Sequence, residues 1–191
     1  MDTLSLADIQ KLTNEYGEAW AVAHVQRLLK LIEQIGTGLE YDSQVIIWAV
    51  YLHDWGAFPK YYQKNLDHAL ISKQIVETEI FPLVDLPTDV KAKVLEAIEL
   101  HDLRDPRPAS TTEALLLREA DFLDFLGAIG VAREFARGPK DLQKTYQQIL
   151  KRKELLRGRF TIPLAQKMAG ERMARMEAFL DALLEESYGF L

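Results

Sequence analysis

Three features of this sequence predict an all-α protein. Apolar residues recur three and four positions apart in nearly every segment, and no stretch of strand length alternates strictly between apolar and polar. Hydrophobic residues make up 48% of the 191, enough for a continuous core and too many for a disordered chain. That length predicts one domain spanning residues 1–191.

The elements follow in order. A first helix is expected from about Leu4 to Tyr16, with Gly17 as its C-terminal cap. A second runs from about Glu18 to Ile35, where Ala21, His24, Val25, Leu28, Leu31, Ile32 and Ile35 form one apolar stripe, so His24 faces inward. After a loop at Gly36 and Gly38, Asp42 or Ser43 caps a helix ending near Asp54, with Gly56 just beyond it. A helix from about Asp67 to Ile80 carries His68 in its first turn, and Pro87 with Thr88 opens another from about Asp89 to His101. The stretch DLRDPRPAS is a loop. Ser110 and Glu113 have capping-box spacing, which starts a long helix through Asp121 toward Arg137. Gly138 and Pro139 end it, and two charged helices follow, to about Arg157 and from about Thr161 to Glu186.

Charge and composition exclude some functions. With 23 Lys plus Arg against 29 Asp plus Glu, the net charge of −6 argues against a broad basic surface for duplex nucleic acid or anionic lipid. The absence of cysteine removes disulfides, thiolate metal sites and cysteine nucleophiles. The opening MDTLSLADIQKL lacks a basic segment followed by an apolar one, and no apolar run is long enough to span a bilayer. The expectation is a cytoplasmic protein.

The chemistry lies in four histidines, His24, His53, His68 and His101. Each falls on an apolar stripe or at the end of a core helix, which points to a shared centre. Asp54 adds to this by a separate route. It closes the uncharged run VIIWAVYL at the negative end of a helix dipole, and a buried unpaired carboxylate there costs several kcal/mol. It calls for a cation beside it, and the adjacent His53 can ligate the same ion. Asp121 approaches the core among Leu117, Ala120, Leu123 and Leu126. Asp124, three residues on, competes for that role or orients a ligand histidine, and Glu119 is an outside choice. Imidazole and carboxylate donors without thiolate suit Zn, Mn, Fe, Co or Ni.

The order His24, His53–Asp54, Asp121 resembles the H...HD...D signature of the HD-domain metal-dependent phosphohydrolase superfamily. DHALISKQIVE, AIELHD and READFLDFLGAIGVAREF are similar to further segments of the small bacterial single-domain HD hydrolases, over roughly residues 18–180. The resemblance implies an HD-domain helical bundle with the metal site in its core. The signature region spans about 18–137, and C-terminal helices over 139–187 pack on it. It implies His24, His53, Asp54 and Asp121 as ligands of one divalent ion of Mn, Fe, Co, Ni, Zn or Mg. His68 and His101 match positions that bind a second metal or touch the substrate phosphate in other branches. Glu119 and Phe122 depart from the relatives' usual Asp and Arg, and the glutamate that one nucleotidase branch keeps after the HD pair is absent.

The expected function is a phosphohydrolase acting on a nucleotide or another small phosphate ester, with metal-bound water as nucleophile. Asp54, His68 and His101 are the catalytic candidates, and Arg104, Arg133 and Lys60 the substrate-binding ones. Arg118 is a further cation considered for phosphate, ranked below Arg133 and Arg104, which flank the matched segments. A homodimer is compatible with this reading. Two alternatives remain open at this point: a di-iron oxygenase on the same fold, and a nucleotide-binding regulatory module without turnover.

Overall fold

In the computed structural model, which describes residues 3–138 and 140–191, helix is the regular structure, and no strand occurs among the described residues. The chain divides into two compact units, Met1–Arg118 and Glu119–Leu191.

In the first unit, helix α1 (Leu6–Ile35) opens on a capping box: Ser5 Oγ accepts from Asp8 N, and Asp8 Oδ2 accepts from Ser5 N at 2.8 Å. The two helices expected on either side of Gly17 are joined in α1 across a break at Glu18, whose φ of 57° and ψ of −171° are not helical. The left-handed conformation thus falls on Glu18 and not on the glycine. Gly17 serves close packing instead, since a Cβ there would sit 2.4 Å from the Ala21 Cβ and 2.6 Å from the Phe58 ring. Phe58 is fully buried. Gly17→Ala is expected to lower the unfolding free energy by about 1–3 kcal/mol in urea titration, because the ring must be displaced. Unchanged stability would mean that the ring yields freely.

Helix α2 (Ser43–Leu52) starts where Asp42 Oδ1 accepts from Gln44 N at 2.8 Å. Val45, Ile46, Trp48, Ala49, Val50 and Leu52 are buried, as a run without charge demands. His53 is the C-cap, and Asp54 leads into a short 3-10 turn, Trp55–Ala57. Gly56 is not a left-handed cap. Its N–H donates to Ser72 Oγ at 2.8 Å, and a Cβ there would fall 2.3 Å from the His68 carbonyl oxygen. That contact is with helix α3 (His68–Ile75), capped by Asp67 Oδ1 accepting from Ala69 N and continued by a wider turn over Val76–Ile80. Helix α4 (Thr88–Leu100) ends at His101 as its C-cap.

Helix α5 (Thr112–Asp124) crosses the boundary between the units. The expected capping box of Ser110 and Glu113 does not form. Ser110 gives both N–H and O–H to Glu96 Oε1, while Glu113 Oε1 accepts from Asp42 N at 2.7 Å, so Glu113 braces the start of α2. Thr111 Oγ1 takes the Ala114 N–H instead.

The second unit also corrects the sequence reading, because the long helix expected toward Arg137 is two. The chain turns at Phe125 and Leu126, and Gly127, with φ of 70°, opens helix α6 (Gly127–Arg137). Gly138 ends α6; Pro139, expected to help break it, lies outside the described residues. Helix α7 (Leu142–Leu156) is capped by Asp141, and helix α8 (Pro163–Glu186) closes the fold. Among the described residues no helix is long and apolar enough to cross a membrane.

Candidate metal centre

Four elements of the first unit deliver one histidine each. His24 comes from the buried stripe of α1, His53 from the end of α2, His68 from the first turn of α3 and His101 from the end of α4. His24, His53 and His101 are buried, while the His68 side chain keeps 25% of its surface exposed.

Asp54 lies among all four rings. Its Oδ2 is 3.4 Å from His53 Nε2 and 3.6 Å from His24 Nε2, and these two nitrogens are 3.2 Å apart. Its Oδ1 is 3.4 Å from His68 Nε2 and 3.7 Å from His101 Nε2, and that pair is 3.0 Å apart. One carboxylate therefore divides the cluster into two halves, each with two imidazole nitrogens.

Hydrogen bonds to the backbone orient two of the rings. His53 Nδ1 donates to the Val50 carbonyl at 2.9 Å, and His101 Nδ1 donates to the Ile98 carbonyl at 2.6 Å. Each bond runs back three residues to the last turn of the helix that the histidine ends. With Nδ1 carrying the proton, Nε2 presents a lone pair to the cluster, the tautomer that a metal-ligating imidazole needs.

Burial opposes ionisation of Asp54, but the neighbouring His53, His101, His68 and His24 outweigh it and hold its carboxyl well below the usual aspartate range. The group is thus an anion among converging nitrogens. This donor set fits a divalent cation: His53, Asp54 and His101 can each offer one ligand atom within 4.8 Å of the others.

His68 has a second face. Its Nδ1 is 3.3 Å from Asp102 Oδ2 and 3.4 Å from Arg104 Nη2, with Asp67 Oδ1 at 3.9 Å. Asp102 was not singled out from the sequence. The available signal was the repeat of Leu-His-Asp at 52–54 and 100–102, which places two His-Asp pairs at two helix ends. Burial works against the Asp102 charge, and hydrogen bonds from the Arg104 side chain and backbone, aided by His68, bring its carboxyl down to about 2.

An unfolded aspartate titrates near about 3.9, so this depressed group contributes stability that is present above that pH and lost as the pH falls through about 2. Asp102→Asn should cost about 2 kcal/mol at pH 5, and the gap from wild type should shrink to about half by pH 3. Urea unfolding at the two pH values measures this, and a gap independent of pH would contradict it.

The other expected site residues are placed as follows. Asp121 is buried on the part of α5 that belongs to the second unit. Asp124 is fully buried and accepts from Arg133 Nη1 at 2.5 Å, and the Arg133 guanidinium lies over the Phe125 ring. Glu119 is buried and accepts from Thr161 N and Oγ1 and from Ile162 N, so it anchors the approach to α8. Lys60 is exposed, with Nζ 3.8 Å from the centre of the Tyr16 ring. Arg104 reaches the His68 edge of the cluster, and Arg118 instead binds the carbonyls of Leu100 and Arg107.

The HD domain model matches residues 21–126, which include His24, the His53–Asp54 pair, His68, His101 and Asp121. The chain belongs to the HD domain family. Among solved structures, a predicted HD superfamily hydrolase from an uncultured Thermotogales bacterium is 23% identical, with a TM-score of 0.65 over 95% of this chain and 90% of that one. An HD-superfamily hydrolase of Bacillus thuringiensis is 22% identical with a TM-score of 0.62, over 95% of each chain. YpgQ of Bacillus subtilis is also 22% identical, with a TM-score of 0.71 over 95% of this chain and 94% of that one, and it has been solved with ADP as well. At these identities the likeness establishes the HD fold. No curated protein matches by sequence.

Proposed function

We propose that the protein is a metal-dependent phosphohydrolase acting on a nucleotide or another small phosphate ester. The observation that carries this reading is the ionised Asp54 with its Oδ2 against the Nε2 atoms of His24 and His53, two nitrogens brought to 3.2 Å in a buried site. Two imidazole nitrogens that close, beside a carboxylate, gain most from a shared cation. His24, His53 and Asp54 would hold it, and the family resemblance adds Asp121 as the fourth ligand. On this reading the chain works as one HD domain.

A bound divalent ion supplies Lewis acidity toward a phosphoryl oxygen and lowers the pKa of a water. The protein's own groups do the rest. The bonds to the Val50 and Ile98 carbonyls orient the His53 and His101 rings with Nε2 toward the cluster. Arg104 and His68 lie on the more exposed side of the cluster, where a phosphate dianion meets N–H donors. YpgQ with ADP supports placing nucleotides first among the candidate substrates.

The test is phosphate or pyrophosphate release from a panel of nucleotides and phosphate esters, with Mn, Co, Ni, Zn, Fe or Mg supplied in turn. Release that requires added metal is expected. No turnover on a broad panel with every ion would remove the reading.

The di-iron oxygenase reading draws on one observation, that Asp54 Oδ1 faces a second imidazole pair, His68 and His101. Two iron equivalents per chain with oxygen uptake would favour it.

A further inference from the structure

Helix α1 carries an aromatic ring to the cluster besides His24. Trp20 lies one turn before that histidine on the same face of the helix, and the two ring centres are 6.4 Å apart with 35° between the planes. The Phe58 ring stands across the indole at 5.8 Å and 77°. Phe58 is 1% exposed and packs where Gly17 has no side chain, so the indole has a fixed neighbour. The break at Glu18, with its φ of 57°, leaves Trp20 and His24 together on one unbroken stretch of helix, which preserves their spacing. A left-handed glutamate there must be held by the packing around it.

Burial separates Trp20 from the chain's other two tryptophans. Trp48 and Trp55 are 5% and 1% exposed and belong to the core, whereas Trp20 is only half-buried. The cluster also reaches solvent: the Asp54 side chain is 16% exposed and that of His68 25%. A large flat ring thus borders a buried histidine of a site that is open at its carboxylate.

We propose that Trp20 is a specificity-determining residue, whose indole stacks on the base of a nucleotide while the nucleotide's phosphate meets the His24–His53–Asp54 centre. The proposal rests on the hydrolase reading for the position of that phosphate. In a nucleotide the base stands one sugar ring from the first phosphate, and the indole stands one helical turn from His24, so the two spacings are of one scale. Every base has a π face, so Trp20 selects for the presence of a base and not for one base over another.

Equilibrium binding tests this without turnover. The ligands are 5′-phosphonate analogues of adenosine, guanosine, cytidine and uridine monophosphates, with a methylene in place of the ester oxygen that hydrolysis would cleave. The matching ribose phosphonate, with sugar and phosphonate but no base, is the comparison. Calorimetry on protein purified without chelator gives the affinities. Tryptophan emission reports the stack, because Trp48 and Trp55 are buried away from added ligand. All four base-bearing analogues should quench the wild-type emission, and ribose phosphonate should not. Trp20→Phe keeps a flat ring, so it should lose the quench and retain most of the affinity. Trp20→Ala should weaken the four analogues by about fivefold to a hundredfold, the range for loss of one base–aromatic stack, with ribose phosphonate unchanged.

Equal affinity of the wild type for ribose phosphonate and the base-bearing analogues overturns the proposal, and needs no variant to observe. It is equally overturned if none of the four analogues binds. The same loss in Trp20→Ala with and without a base also overturns it, since the indole would then only support His24. Phosphate release from baseless esters and nucleotides alike keeps the hydrolase reading and removes this one. Base-dependent binding on Trp20 without release from any substrate does the reverse.

Discussion

If the chain is the metal-dependent phosphohydrolase proposed above, Asp54→Ala is expected to leave the purified chain without metal and to cut phosphate release by about a thousandfold or more, since metal-supplied activation of water and phosphoryl oxygen would go with it. The reason is positional. Asp54 faces all four imidazoles, two through each oxygen, at 3.4–3.7 Å. Its carboxyl is held ionised by those rings against the cost of burial, so the substitution removes the negative charge as well as the ligand atom. Asp54→Asn separates the two contributions, because it keeps the shape and one carbonyl oxygen while cancelling the charge. It should also lose metal, by a smaller factor. Elemental analysis per chain, on protein purified without added metal or chelator, reads the result directly. Circular dichroism on the same samples establishes that the helices are intact. Wild-type metal content in Asp54→Ala would mean that the ion is held elsewhere, and the assignment of this cluster would fall.

The sequence pointed to this cluster for reasons that are local. His24 lay on a 3.6-residue apolar stripe, and His53 with Asp54 closed a run too apolar to be exposed; both inferences need only the periodicity of a buried helix. The structure brings those residues together with His68 and His101. What local reasoning missed depends on partners distant in the chain. Ser110 and Glu113 had the right spacing for a capping box, but Glu96, 14 residues before Ser110, takes the serine, and Asp42, 71 residues before Glu113, takes the glutamate. Gly17 looked like a helix stop, yet its lack of a side chain answers to the Phe58 ring, and the strained conformation passed to Glu18. The break before Gly127 was hidden because the apolar pattern continues through Phe125 and Leu126 into α6. Asp102 and Arg104 sat in a polar loop, where an ordered clamp and a solvated surface have the same composition.

Arg118→Ala is expected to destabilise the protein by about 3–5 kcal/mol, although this arginine had looked from the sequence like one more cation near the site. Its side chain is 7% exposed, and it donates Nε to the Leu100 carbonyl at 2.5 Å and Nη1 to the Arg107 carbonyl at 2.7 Å. Leu100 is the last residue of α4, so its carbonyl is among those a helix end leaves without an internal partner. Alanine would strand the buried Leu100 carbonyl, remove the tie to the Arg107 carbonyl and open a cavity, and these costs act together. Arg118→Lys should recover part of the loss, since one ammonium can reach one carbonyl but cannot span two with a planar fork. Because Leu100 immediately precedes His101 and Asp102, the variant should also loosen the turn that aims both side chains. Weaker metal retention would then accompany the loss of stability, even though Arg118 is no ligand. Urea unfolding gives the stability and elemental analysis the metal. A stability change below about 1 kcal/mol would mean that water replaces the guanidinium at both carbonyls, and the His101 turn would then have to be held by other contacts.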